Sequence, residues 1–271
     1  MKTQIRLALV LGLAGSLLAT APIAHAEEKL TAREIMQRVN DRDDGDNATA
    51  DLEMLLIDKY GNERRREIRS YSKDYGDDTH QIIFFLSPAD VKDTGFLTYD
   101  YDGVEQDDDQ WLYLPALKKT KRIASTDQSG SFLGSDFAYA DLTRRPLDRY
   151  DFELMKETEV RGAKAWQILA TPKVPAEIER TGYTKSVVFV LQDNYVVVRA
   201  ASWLDKGNKV KYLDVKQLEK IDGIWVAVET EMATKRGRET LHKTVLRTAK
   251  IAFDQGHDDA VFTTRQLEKG Y

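Results

Sequence analysis

Histidines, serines and paired carboxylates are the side chains of this chain with catalytic or metal-binding potential, and their spacing argues against both uses. Of four histidines, His25 falls in a leader-like segment. His80, His242 and His257 each lack a second histidine at metal-ligand spacing, and no H-E-x-x-H occurs. They read as partly exposed sheet or loop residues. Ser129 and Ser131 flank Gly130, but the segment is not G-x-S-x-G and no strand runs into it, which argues against a hydrolase elbow. Asp100-Tyr-Asp102-Gly103 with Asp109 imitates a calcium loop. Its first ligand position is Thr98, however, its twelfth is Asp109 where a long bidentate glutamate belongs, and its flanks read as strands. The cluster reads as a solvated hairpin turn. Glu229 with Glu231, and Asp258 with Asp259, read as solvated faces without an acid or base partner. With no cysteine in the chain, thiolate chemistry and disulfides are excluded. The residues nominate no catalytic group, no metal site and no cofactor, so the expectation is a protein that is not an enzyme.

The elements around these residues are mostly strands. Thr31-Ala-Arg-Glu34 is a capping box, and Leu30 with Ile35 has the spacing of a hydrophobic staple. Ile35, Met36 and Val39 then form a narrow apolar stripe, which predicts one amphipathic helix, ended by the charged stretch 41–47. After it the period changes to two. Strands are expected near 51–57, 64–72, 79–86, 96–101, 110–114, 152–159, 164–171, 185–191, 195–204, 209–217, 224–234 and 239–251. Asp222-Gly223 between two isoleucines is the pair that a type I′ hairpin turn demands. About a dozen sequential strands with short loops make an antiparallel meander, which must curl or close because a flat sheet of that width would expose long edges. The alternation fails between 115 and 151, a long irregular stretch of the kind that serves as a functional loop or lid. Ser135 could cap a short helix there.

At its start the chain has Lys2 and Arg6, an apolar run at 7–18 and the small-x-small site Ala24-His25-Ala26. That is a secretory leader at 1–26, too short for a membrane span. The expectation is a single exported domain, 27–271, that carries no lipid-modified cysteine. Forty-five acidic against 40 basic residues, a net charge of −5, make nucleic acid a poor partner.

The run Asp109-Gln-Trp-Leu-Tyr-Leu-Pro-Ala-Leu-Lys-Lys-Thr-Lys-Arg-Ile123, followed by Gly130-Ser-Phe-Leu-Gly-Ser-Asp-Phe-Ala-Tyr-Ala-Asp-Leu142, resembles the outer-membrane lipoprotein-sorting protein family, in the LolA-like branch associated with RND- or MMPL-type permeases. Weaker resemblance extends from about Tyr71 to Leu267. The resemblance implies a half-open, strongly curved antiparallel β-barrel of the LolA/LolB kind, with the N-terminal helix and a short helix as its lid. It also implies a periplasmic carrier that shields acyl chains of a lipoprotein or a free lipid between membranes, with an inner-membrane permease as partner and transient membrane contact. An envelope lipid sensor acting on a membrane partner, or an envelope hydrolase, are the other readings. A second domain would mark the first and a convergent acid/base set the second, and neither is visible.

Two sets of residues follow as candidate sites. The lining of a lipid cavity is expected to include Ile82, Phe84, Leu86, Trp111, Tyr113, Phe137, Val226 and Val228. The strand 82–86 is apolar on both faces, so its inward side is open. The basic run Lys118, Lys119, Lys121 and Arg122 is either a solvated strand face or a surface that docks on an acidic permease or on anionic headgroups.

Overall fold

Thr31 starts the first helix by closing the capping box that its sequence spells. Its hydroxyl accepts the Glu34 N–H (3.2 Å) and its own N–H donates to the Glu34 carboxylate (2.7 Å), so two otherwise orphaned donors of helix α1 (Ala32–Asn40) are satisfied. The computed structural model describes residues 29–104 and 106–271, and the expected leader at 1–26 lies outside the described residues.

Beyond α1 the chain is a succession of strands. β1 (Asn47–Asp58), β2 (Glu63–Tyr75), β3 (Asp78–Ser87), β4 (Gly95–Asp100), β5 (Asp109–Leu114) and the short β6 (Lys119–Arg122) make up the first half. β7 (Tyr150–Val160), β8 (Ala163–Pro172), β9 (Tyr183–Leu191), β10 (Val197–Leu204), β11 (Val210–Ile221), β12 (Ile224–Arg236) and β13 (Glu239–Phe253) make up the second. A helix α2 (Pro175–Thr181) joins β8 to β9, and a helix α3 (Thr264–Lys269) follows β13. The β11–β12 turn has φ of 50° at Asp222 and 91° at Gly223, the two positive values that a type I′ turn requires.

The thirteen strands form one antiparallel sheet in the order β6-β5-β4-β3-β2-β1-β13-β12-β11-β10-β9-β8-β7. The chain therefore begins at the centre and steps outward to one edge. Residues 123–149 then carry it across to the opposite edge, and it steps back to the centre, where β13 pairs with β1. β6 and β7 are the free edges, so the sheet is open. Its curvature is evident from what the crossing segment touches. Leu133 O accepts from Arg66 on β2, Tyr139 O from Gln110 on β5, and Asp136 is bonded to Thr234 on β12 and Thr244 on β13. One short segment can reach strands from both halves only where the sheet wraps around it. Register shifts in β1–β13, β10–β9 and β11–β12 are the bulges that bend strands in this way.

Two expectations from the sequence differ from the structure. The 115–151 stretch is not wholly irregular, because it contains β6. Ser135 caps no helix: its hydroxyl accepts the Phe137 N–H (3.2 Å) in a local turn, and Tyr139–Leu142 forms a 3₁₀ turn after Ala138. The C-terminal segment carries no element expected from the sequence. It covers the outer face of β3–β5, where Phe262 and Leu267 pack on Ile82, Phe84 and Leu97. Ile83 and Phe85 point the other way, into the inner core with Phe96, Phe132 and Met232. β3 is apolar on both faces because it is buried on both. Gly95 on β4 lets α3 lie close, since a Cβ there would stand 2.6 Å from Leu267 Cδ1. Leu267 is fully buried, so Leu267→Ala is expected to cost about 2–5 kcal/mol, read as a fall in the urea midpoint at unchanged slope.

Candidate functional site

On the inner face the second half of the sheet, the crossing segment and α1 enclose a cavity of about 200 Å³ with one open side. Its wall is mostly apolar: Phe152 from β7, Ala170 from β8, Val188 from β9, Ala200 from β10, Leu213 from β11 and Met232 from β12. Phe137, Ala140 and Leu147 of the crossing segment and Met36 of α1 complete it. Alternation places these side chains together. The same strands put Val187, Arg199, Tyr212 and Glu231 in a groove on the other face, which Ala200 and Leu213 also border.

One end of the cavity is polar. Asp141, Arg145, Tyr183, Ser202 and Lys211 line it. Tyr183 donates to Asp141 (2.8 Å), the Ala138 N–H donates to the same carboxylate (2.8 Å), and Lys211 Nζ lies 3.6 Å from it. Tyr183 is buried, and burial together with the Asp141 charge pushes its phenol well above the ordinary range. It therefore stays a neutral donor. Behind it the hydroxyls of Ser186 and Ser202 lie 2.8 Å apart, and Arg145 donates to Ser186 Oγ (3.1 Å).

α1 lies along the rim of this cavity on a few polar ties. Arg33 meets Asp148 (2.7 Å), Arg38 donates to the Tyr195 hydroxyl (2.7 Å), and Arg42 donates to Trp225 O (3.1 Å). Exposed pairs of this kind contribute about 0–1 kcal/mol each. The main anchor is Ile35, fully buried and worth about 1.5–3 kcal/mol.

The crossing segment is held more firmly. The Asp136 carboxylate, 3% exposed, accepts from Thr234 (2.6 Å) and Thr244 (2.8 Å) and is bonded to His242 Nδ1 (2.6 Å). Asp136→Ala would leave these three partners without their acceptor, at a cost of about 1–3 kcal/mol for each buried group so stranded. The expected result is a lower urea midpoint and faster amide exchange in 132–142.

A second group of charges spans the open edge. Glu177 on α2 is bonded to Arg180 (2.8 and 2.9 Å) and to the Tyr150 hydroxyl (2.5 Å), with Arg149 at 3.5 Å. Arg180 lies 3.6 Å from Asp108 on the β4–β5 connection, and Arg149 lies 2.8 Å from Asp107 beside it. Arg144 pairs with Asp100 (3.2 Å). The acidic cluster read as a solvated turn is a hairpin connection, but Asp100 and Asp108 are buried. Their partners come from the crossing segment and α2, far away in sequence. Burial, then the nearby Asp100 charge, pushes the Asp108 carboxyl up to about 6.

The expected lining residues are divided by the structure. Phe137 lines the cavity. Ile82, Phe84, Leu86, Trp111 and Tyr113 lie on the opposite face of the sheet, in the cluster under Phe262 and Leu267. Val228 sits in another groove beside Glu219, Glu229 and Arg247, near the β11–β12 register shifts, and Val226 pairs with Glu219 on the same stretch. Neither valine is in the cavity wall. The residues that the sequence reading missed carry a weak signal: small or polar residues such as Ala200, Ser202 and Lys211 break an otherwise apolar face, and a cavity wall needs such gaps. In the basic run, Lys118 forms the β5–β6 turn and the rest is the edge strand β6. Arg122 pairs with Asp109, and Lys121 lies 3.8 Å from Asp127. Lysines on an edge also discourage pairing with foreign strands. Glu229 pairs with Arg247, and Glu231 with Lys216 and Lys243, on the outer face. Among the described residues no group of three or more histidine, aspartate or glutamate side chains is placed to hold a metal ion, and no helix is long and apolar enough to cross a membrane.

A family model with the description "Uncharacterized protein" matches residues 77–269. A solved DUF1329 family protein from Desulfovibrio piger is 32% identical, with 87% of this chain and 97% of that one covered and a TM-score of 0.79. A putative outer membrane lipoprotein-sorting protein domain from Vibrio parahaemolyticus is 31% identical, with 88% and 98% covered and a TM-score of 0.78. A LolA superfamily protein from Nitrosomonas europaea shares the fold at 18% identity, with 88% and 100% covered and a TM-score of 0.66. No curated protein matches the chain.

Proposed function

The chain belongs to the DUF1329 family, and from that premise we propose that it is a periplasmic carrier that shields acyl chains between envelope membranes. The observation that carries this reading is the apolar cavity between the curved sheet, the crossing segment and Met36 of α1. Burying a methylene contributes about 0.8 kcal/mol, so part of one acyl chain in this cavity holds a lipid usefully, and a long chain buried whole would be released slowly. An apolar cavity of ~150 Å³ takes one benzene ring. A cavity of about 200 Å³ therefore accepts a whole chain only when α1 or the crossing segment moves. α1 is the element that moves, since two buried side chains, Ala32 and Ile35, and a few mostly exposed polar ties hold it. It is the lid, and lifting it couples loading and release to a membrane or a permease of the RND or MMPL type. The edge strip Lys118, Lys119, Lys121 and Arg122 is the docking surface for that acidic partner, and reversing its charges should impair transport while the urea midpoint stays nearly unchanged. No enzymatic step is part of this reading.

The test is to express the full chain with its own leader, purify it from the periplasmic fraction and analyse an organic extract by mass spectrometry. The carrier reading expects co-purifying lipid and saturable binding of a fluorescent fatty acid by the delipidated protein. Absence of both would overturn it.

A further inference from the structure

Arg145 stands where two hollows meet. It lines the apolar cavity, and it also lines a polar crevice between α1 and the crossing segment, formed with Arg33, Gln37, Asn40 and Arg144 and with the carboxylates of Asp102 and Asp148. Leu147 is likewise common to both. A guanidinium has five N–H donors. Among the described residues that of Arg145 makes one side-chain hydrogen bond, to Ser186 Oγ, and lies 5.3 Å from the centre of the Tyr183 ring and 6.0 Å from that of Tyr150. Among the described residues no carboxylate pairs with it, whereas the other cations of this region are matched. Arg33 has Asp148 (2.7 Å), Arg144 has Asp100 (3.2 Å), and Lys211 has Asp141 (3.6 Å). Asp141 already accepts from Tyr183 and from the Ala138 N–H. The threshold between polar crevice and apolar cavity thus keeps one half-buried positive charge with most of its donors unused.

We propose that the carried molecule is an anionic amphiphile, with its acyl chain in the cavity and a carboxylate or phosphate head on Arg145 at the mouth of the crevice. The inference rests on the carrier reading and narrows it. A neutral acylated peptide would leave Arg145 unmatched, whereas a fatty acid or a phosphate monoester accepts from its fork in the planar geometry that arginine favours. A charge-assisted hydrogen bond in a partly buried site corresponds to a preference of about 10- to 100-fold for the anion over a neutral head.

The experiment uses the delipidated full chain at pH 8 and three probes of equal chain length: laurate, dodecyl phosphate and 1-dodecanol. Each competes with a fluorescent fatty acid on the wild type, Arg145→Gln and Arg145→Lys. The expected result is that at least one anion binds the wild type about 10- to 100-fold more tightly than dodecanol. The tighter of the two anions identifies the head as carboxylate or phosphate. Arg145→Gln should remove the preference, so that the anions bind no more tightly than dodecanol does to the same variant, and Arg145→Lys should restore part of it. Equal binding of all three probes to the wild type overturns the inference and leaves the carrier reading intact, as does an equal loss for all three in Arg145→Gln. If no probe binds the wild type, this inference is overturned, and the carrier reading falls with it where no lipid co-purifies either. Should Arg145→Gln fail to fold, the wild-type series together with Arg145→Lys decides the matter.

Discussion

Ala200→Trp is expected to weaken acyl-chain binding by about tenfold or more while the chain stays folded. Ala200 lies on β10 two residues before Ser202, and both line the cavity between Val188 and Leu213. An indole built from that position occupies most of a space of about 200 Å³. Because one side of the cavity is open, the ring has room to settle without forcing the sheet apart. Overpacking costs about 1–3 kcal/mol, against a stability on the order of 5–15 kcal/mol for a domain of this kind. The measurement is titration with a fluorescent fatty acid beside a urea melt. Binding should fall by about tenfold or more, and the midpoint should drop modestly. Ala200→Leu, with a smaller intrusion, guards against a variant that fails to fold. Val228→Asp is the control: its groove is separate from the cavity, so binding should stay at the wild-type level. A folded Ala200→Trp protein that binds lipid normally would place the ligand elsewhere on the molecule.

Glu177→Ala is expected to destabilise the protein by about 3–5 kcal/mol, the cost of breaking a buried ion pair by removing one partner. The Glu177 side chain is wholly inaccessible and serves Arg180, Arg149 and Tyr150 at once. Burial alone would raise its carboxyl, but hydrogen bonds from Arg180 and Tyr150 outweigh burial and hold it below the usual range. Burial in turn raises the Tyr150 phenol to about 12, so it remains a donor. Without Glu177, Arg180 keeps, among the described residues, Asp108 at 3.6 Å and Gln128 at 3.3 Å, and the tie between α2 and the β4–β5 connection loosens. Urea melts should show the loss, with Glu177→Gln intermediate. The same network makes a pH signature. Asp108 titrates at about 6 in the folded protein against its ordinary 3.8, so the folded state binds more protons between those values. The penalty for its charge is full above pH 6 and is relieved as the pH falls towards 4. Asp108→Asn removes that contribution. The difference in urea midpoint between wild type and Asp108→Asn should therefore shift in favour of the wild type on going from pH 7 to pH 4.5.

Much of the architecture was legible because its causes are local. The α1 start follows from Thr31 and Glu34 reaching each other's backbone neighbours within one turn. The hairpin at Asp222-Gly223 follows from two residues that tolerate positive φ. The strands follow from alternation, and their short connections make a meander. An exposed edge strand such as β6, with three cations in four residues, carries no apolar alternation, so it was hidden in the stretch expected to be irregular. α2 and α3 are each under two turns long, and packing holds them rather than propensity.

The site itself was legible only in kind. Apolar residues at 82–86 announce burial, but a strand buried on both faces looks the same whether a cavity or a helix lies on either side. Tertiary structure decided that Phe262 and Leu267 cover Ile82 and Phe84, and that the cavity lies between the other half of the sheet and the crossing segment. It also decided the fate of the charges. Asp100 and Asp108 look like a wet turn in sequence, and their partners Arg144 and Arg180 lie 44 and 72 positions away, so only the wrapping of the sheet brings them together. Alternation, capping and turn chemistry depend on neighbours a few residues apart, and the sequence by itself determined those. Which face is filled, which is hollow and which cation is left unmatched depend on contacts between distant strands, and those the fold alone could decide.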